Sequence, residues 1–276
     1  MKNKVLKTSV FYFSVALFLL YIVFPFLWQI LTSIKPPQDL WSTPPKWIPS
    51  DIYFGSFAAV FTKRHFLTYM KNSFIIVCAT TLLSIFVSSL AAYALARLKI
   101  RFKRLILSLV LSVSMFPGIA IVSPLFIFLK NVNLLNSYLG LILVYTTFTI
   151  PLSLWNLNAF FRQIPFEMEE SAKMDGASPL QTFSKVIVPL AVPGMFTTAI
   201  LTFIAAWNEF LYSLIFNTRD AMRTVPVGIA MFPGEYDLPW GDISAASVVV
   251  TVPLIVMVLI FQKRIIAGLT AGAVKG

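Results

Sequence analysis

The sequence predicts an all-α integral membrane protein of six transmembrane helices with both termini in the cytoplasm, and three observations carry that reading. Hydrophobic residues fill 58% of the 276 positions and charged residues only 12%, a balance foreign to soluble domains. Uncharged stretches cover 8–34, 72–96, 105–129, 131–161 and 243–262, and a sixth, 186–218, is interrupted only by Glu209. Each reaches the roughly 20 residues that a helix needs to cross a bilayer. Basic residues then orient the spans. With the N-terminus inside, the inner segments hold Lys2, Lys4 and Lys7, then Arg97, Lys99, Arg101, Lys103 and Arg104, then Arg162, Lys173 and Lys185, and last Lys263, Arg264 and Lys275. These are fourteen of the 22 Lys and Arg residues, the excess expected of cytoplasmic loops.

Several function classes drop out at once. Cys78 is the one cysteine and His65 the one histidine, which excludes an internal disulfide and leaves too few ligands for an ordinary zinc site. The formal charge of +11 reads as membrane topology rather than as a nucleic-acid surface. No Gly-Lys pair occurs, so the chain has no phosphate loop and cannot hydrolyse ATP alone. The expectation is a membrane protein with no catalytic residue, no metal and no cofactor of its own, organised as a single domain over 1–276.

Along the chain, the first span follows Lys2, Lys4 and Lys7 but is too long for a signal peptide and lacks a small-residue cleavage site after it, so it reads as a retained anchor. Residues 35–71 form the first outer loop. Pro36, Pro37, Pro44, Pro45 and Pro49 argue against regular helix there, and Trp41 and Trp47 suit the headgroup layer. The second span carries Ser84, Ser88, Ser89, Ala91, Ala92, Ala94 and Ala96, small residues that let another backbone approach, and should face protein. Pro117, Pro124 and Pro151 fall inside the third and fourth runs and should bend them.

The cytoplasmic segment 162–185 is the most informative. Pro165 opens a helix over about 165–175 whose first turn gathers Glu167, Glu169 and Glu170 at the positive dipole end. Asp175 and Gly176 supply a left-handed stop, and Ser178 caps a second helix with Pro179 at its first position. Phe166, Met168, Ala172 and Met174 are then apolar groups at a membrane surface, open either to docking in a partner's groove or to self-packing on the headgroups.

Glu170-Ser171-Ala172-Lys173-Met174-Asp175-Gly176-Ala177, followed by Phe183, Ile187, Pro189, Leu190 and Pro193, resembles the EAA loop of permease subunits of binding-protein-dependent ABC importers, with Ser171 in place of the usual alanine. Similarity extends over about 70–276 through FPGIAIVSPLFIFL, GLILVYTTFTIPLSLW, AAWNEFLYSL, WGDISAAS and the tail GLTAGAVKG, the pattern of the carbohydrate-uptake subgroup and of its maltose- and trehalose-type subunit. The first 70 residues match only in general shape.

The resemblance implies a type I ABC importer permease fold in the cytoplasmic membrane, in contact with lipid and assembled with a second homologous permease subunit, two ATP-binding subunits that hold ATP and Mg, and an extracytoplasmic solute-binding protein, with a sugar as substrate. In that family the cytoplasmic loop is a coupling helix. Glu170, Ala172, Asp175 and Gly176 would then meet the ATPase, Glu170 as charged anchor and Gly176 as the turn permitting close approach. The tail 265–276, through Thr270, Gly272 and Lys275, would reach the ATPase dimer. The outer loop at about 217–242, with turns and little apolar surface to bury, would probe the solute-binding protein.

Glu209 is the only carboxylate in an apolar run and is a functional candidate for that reason. With Trp207 and Asn208 it could line a translocation cavity and match sugar hydroxyls, or it could make a structural hydrogen bond to a neighbouring helix. Two rivals stay open beside the importer: a proton-coupled secondary transporter with Glu209 as relay, and a non-transporting assembly subunit that uses the cytoplasmic loop only for docking.

Overall fold

A computed structural model describes residues 2–234 and 238–273, with side chains over 6–234 and 238–262. All its described elements are helical. They gather into two compact units, Met1–Leu67 with Gly228–Pro253 and Thr68–Val227 with Leu254–Gly276.

The first unit contains α1 (Lys2–Ser33), α2 (Pro37–Leu40), α3 (Gly55–Thr62) and the start of α13 (Trp240–Ala273, numbered below in chain order). None of α1's most apolar window is buried, and Phe11, Phe13, Phe18 and Tyr21 stand exposed on it, as lipid-facing side chains do. The proline-dense part of the outer loop holds only the single turn of α2, but the expectation of no helix over 35–71 fails beyond it. Pro49 is the last proline, and the proline-free run Gly55–Thr62 winds into α3. The next helix starts at Phe66, ahead of the uncharged stretch, because Lys71 at its outer end is no obstacle to helix.

Asp39 ties this loop together. Its carboxylate accepts from Lys46 Nζ at 2.5 Å and from the amide and hydroxyl of Ser50 at 2.7 Å each. The Lys46 and Ser50 hydrogen bonds hold its pKa down to about 2.

The second unit contains nearly all of α4 (Phe66–Arg97), then α5 (Lys103–Ser114), α6 (Gly118–Asn131), α7 (Tyr138–Gln163), α8 (Glu167–Met174), α9 (Pro179–Thr182), a π-helical turn (Phe183–Ile187), α10 (Val188–Trp207), α11 (Leu211–Phe216) and the first half of α12 (Val225–Ala230). Half of α7's most apolar window is buried, which makes it the central helix. The small residues of α4 face protein as expected: Ser84 shares a 2.6 Å hydrogen bond with Thr149, and Asn158 donates to the Ala92 carbonyl at 3.2 Å. These contacts satisfy polar groups that lipid could not.

Among the described residues, five helices are long and apolar enough to span a membrane, and the pair α5 and α6 makes a sixth crossing if taken as one. The pair is bent by 90°, so the expected third span is broken rather than continuous. Pro117 sits at the N-cap of α6 in extended conformation, where it has no amide hydrogen to continue α5 and holds Phe116 away from helical geometry. The run 186–218 is also divided, since α10 stops at Trp207 and α11 begins at Leu211.

The outer segment after α11 buries more apolar surface than its composition suggested. Val225 and Val227 of α12 and Phe232 beyond it are buried. Asn72 of α4 donates to the carbonyls of Ala221 and Arg223 at 2.9 and 2.8 Å, and Ser73 accepts from the Val225 amide at 2.8 Å. The expectation of a loop with little to bury is therefore corrected: the short apolar run Val225–Ala230 forms a helix and packs. Glu235 and Asp237 lie outside the described residues.

Candidate functional site

The cytoplasmic loop is built from two locally determined pieces. The acidic first turn of α8 complements the helix dipole, and the helix closes on a left-handed stop at Gly176, whose φ is 80°. The Gly176 amide donates to the Lys173 carbonyl at 3.0 Å and the Ala177 amide to the Ala172 carbonyl at 2.9 Å, the paired bonds of a Schellman motif. Ser178 then begins α9 with a reciprocal cap: its hydroxyl accepts from the Gln181 amide at 3.3 Å while Gln181 Oε1 accepts from the Ser178 amide at 2.8 Å.

A buried root fixes this loop to the spans. Phe183 and Ile187 of the π-helical turn join Tyr93, Leu95 and Ala96 of α4, Leu157 and Phe161 of α7 and Ala191 of α10 in one apolar cluster. The rings of Tyr93 and Phe183 lie 5.0 Å apart and those of Phe161 and Phe183 meet edge-on at 6.4 Å. Beside the cluster, Arg97 Nε stands 3.0 Å from Glu169 Oε1, the two side chains only 1% and 5% exposed. Arg97 Nη2 also donates to the carbonyls of Phe161 and Ile164, and the guanidinium lies 4.4 Å from the centre of the Phe166 ring. One side chain therefore joins the end of α4 to the end of α7 and to α8.

The opposite side of the loop is open. Glu170 and Asp175 are exposed, as are Phe166, Met168, Leu180 and above all Met174 at 88%. A Cβ added at Gly176 would meet nothing within 4 Å, so its glycine answers to backbone conformation and leaves the turn accessible. The expectation that Ala172 belongs to the exposed apolar face is corrected, for it is 7% exposed and turned inward on the same side as Glu169. Arg97 and Glu169 were not singled out by sequence reasoning. The signal was available in helical spacing: Ser89, Tyr93 and Arg97 follow one another at i+4 on the face of α4 that faces protein.

The polar group near the end of α10 marks the break between α10 and α11. Trp207 is buried with its ring stacked on Phe203 at 5.5 Å. Asn208 turns its amide back to the Ile204 carbonyl at 2.8 Å and terminates α10. Glu209 accepts from the Tyr212 amide at 2.8 Å and the Ser213 amide at 3.3 Å, capping α11 with a carboxylate. The structural role weighed for Glu209 is thus present in part within its own segment, and its carboxylate also faces the Tyr145 hydroxyl of the neighbouring α7. Of the tail residues, Lys275 lies outside the described residues, as does the side chain of Thr270, and Gly272 is described only as part of helix α13.

Residues 84–270 match the family model described as binding-protein-dependent transport system inner membrane component. The chain is 42% identical to the trehalose/maltose transport system permease protein MalG of Thermococcus litoralis over 100% of both chains. It is 46% identical to the trehalose transport system permease protein SugB of Mycobacterium tuberculosis over 93% of each. Its fold matches a chain in the crystal structure of a bacterial ABC transporter involved in the import of the acidic polysaccharide alginate, with a TM-score of 0.81 at 22% identity over 95% of this chain and 98% of that one. A multi-pass helical membrane protein with a rooted, outward-facing cytoplasmic loop, this chain belongs to the family of inner membrane components of binding-protein-dependent transport systems.

Proposed function

We propose that the chain is a permease subunit of an ATP-driven importer of a sugar, of the size of trehalose or maltose, and that it works with a second permease, two ATP-binding subunits and an extracytoplasmic solute-binding protein. The observation that carries the reading is the two-sidedness of the cytoplasmic loop. One side is locked to α4 and α7 through Arg97, Glu169 and Phe183, while the other presents Glu170, Met174 and Leu180 to a partner. A body pushed on its open side can transmit that displacement to helices gripped on its closed side, because packed interiors move as units. The names of the full-length relatives support a sugar as the cargo.

ATP and Mg belong on the partner ATPase, and this chain contributes no catalytic group to hydrolysis. Within the assembly, Glu170 is the charged contact to the ATPase, Asp175 and Gly176 shape the turn beside it, and the tail with Thr270, Gly272 and Lys275 makes a second contact. Trp207, Asn208 and Glu209 shape the path by fixing the break between α10 and α11.

Uptake of radiolabelled trehalose or maltose into vesicles carrying the whole complex tests this. The importer requires ATP and survives collapse of the proton gradient. Uptake driven by the gradient without ATP, and abolished by Glu209→Gln, would establish the relay instead. Absence of both with normal assembly would mark a non-transporting subunit.

A further inference from the structure

A cleft of about 450 Å³ opens in the first unit, apart from every residue assigned above. Trp28, Gln29, Thr32 and Lys35 line it from the end of α1 and the residues after it, and Trp240 and Ser244 from the start of α13. The basic-residue bias places this end of α1 on the outer side of the membrane.

Its charged side chains already have partners, although two lysines and one aspartate leave it with one net positive charge. Lys46 is paired with Asp39 at 2.5 Å, and the buried Lys35 donates to the Lys46 carbonyl at 2.6 Å and caps one face of Trp28 at 4.1 Å. What remains is neutral and polar. Gln29 Oε1 and Thr32 Oγ1, on residues that line the cleft, are buried without a hydrogen-bond partner, a costly condition. Trp240 is 46% exposed and offers a wide aromatic surface beside them.

An aromatic platform with neutral hydrogen-bonding groups and no uncommitted cation suits a ligand whose rings have apolar C–H faces and hydroxyl edges. A volume above about 300 Å³ is that of an ordinary small-molecule site. An anionic headgroup would instead call for cations free to reach it, whereas Lys46 is held by Asp39 and Lys35 by the Lys46 carbonyl and the Trp28 ring.

We propose that this cleft is an outer saccharide-binding site for a neutral mono- or disaccharide, with Trp240 stacking on the ring and Gln29, Thr32 and Ser244 meeting its hydroxyls. The choice of a sugar rests in part on the import reading above. A site here would hold sugar at the outer face before it enters the path between the helices.

The test uses the purified full-length chain in neutral detergent and a panel of glucose, maltose, trehalose and cellobiose, read by saturation-transfer NMR and by competition. At least one sugar should bind saturably, and Gln29→Leu and Trp240→Ala should each weaken it about five- to tenfold, the size of one lost hydrogen bond or stacking contact. Trp240→Phe, which keeps an aromatic face and controls for misfolding, should retain most of the affinity. No binding by any of the four sugars, or binding indifferent to both variants, overturns the site. So does phosphatidylglycerol binding that is lost in the same variants and displaces the sugar, which would mark a lipid headgroup site. ATP-driven uptake measured in parallel separates the two readings: intact uptake without cleft binding removes the site and leaves the importer, and cleft binding without uptake does the reverse.

Discussion

Breaking the ion pair between Arg97 and Glu169 should loosen the cytoplasmic loop from the spans by an amount that depends on which partner is removed. At 3.0 Å and an effective dielectric of about 20, the gross attraction is roughly 5 to 6 kcal/mol, opposed by several kcal/mol of desolvation for each ion. The intact pair is therefore worth little net, but an unpaired charge left behind costs about 3 to 5 kcal/mol. Glu169→Ala should fall at the lower end, because Arg97 keeps the Phe161 and Ile164 carbonyls and the Phe166 ring. Arg97→Met should fall at the upper end, since it removes all of those contacts and strands a buried carboxylate. Glu169→Gln should cost least, because the neutral amide keeps the size and a polar oxygen beside the guanidinium while losing only the charge. The double variant Arg97→Met with Glu169→Gln should be no less stable than Arg97→Met alone. Equilibrium unfolding of the full-length chain in mixed micelles of rising SDS content measures each value, and co-purification with the ATPase reports the effect on docking. Strictly additive losses in the double variant, or losses below about 0.5 kcal/mol in both single ones, would refute the idea that this pair roots the loop.

Two further outcomes follow from the same geometry. Gly176→Val should destabilise the chain by about 1 to 2 kcal/mol through positive φ alone, since no neighbour meets the new Cβ, while Gly176→Asn should recover much of that stability; an Asn variant that is stable but no longer co-purifies with the ATPase would show that the partner comes close to this turn, and full co-purification of both would remove that role. The depressed pKa of Asp39 stabilises the first outer loop above the ordinary carboxylate value near 4, and this contribution should fade as pH falls from about 4 through about 2; hydrogen exchange at the Ser50 amide, which donates to Asp39, should accelerate over that window and lose its pH dependence beyond the intrinsic rate in Asp39→Asn, and an unchanged profile in the variant would contradict the assignment.

The features legible in the sequence were those set by neighbours along the chain. Uncharged length alone marks a span, because lipid offers no partner to a charge or an open amide. The Gly176 stop, the Ser178 cap and the Pro179 start were likewise readable, since each depends on residues within one helical turn. Pro117 was read as a bend, but the 90° angle between α5 and α6 depends on what each half packs against. Other features were decided only by contacts across long chain separations. Glu169 and Glu170 are adjacent and chemically alike, yet one is buried against Arg97, which comes from a helix 72 residues earlier, and the other is exposed. Ala172 is turned inward too, on the side of α8 that also buries Glu169. The capping contacts of Glu209 arise at closer range, where the break after Trp207 opens the amides of α11 to its carboxylate. The cleft beside Trp240 joins the two ends of the chain, and no local pattern links Gln29 with Ser244. Burial is a property of the neighbours that tertiary packing brings, and a single strand of sequence contains the residues but not their arrangement in space.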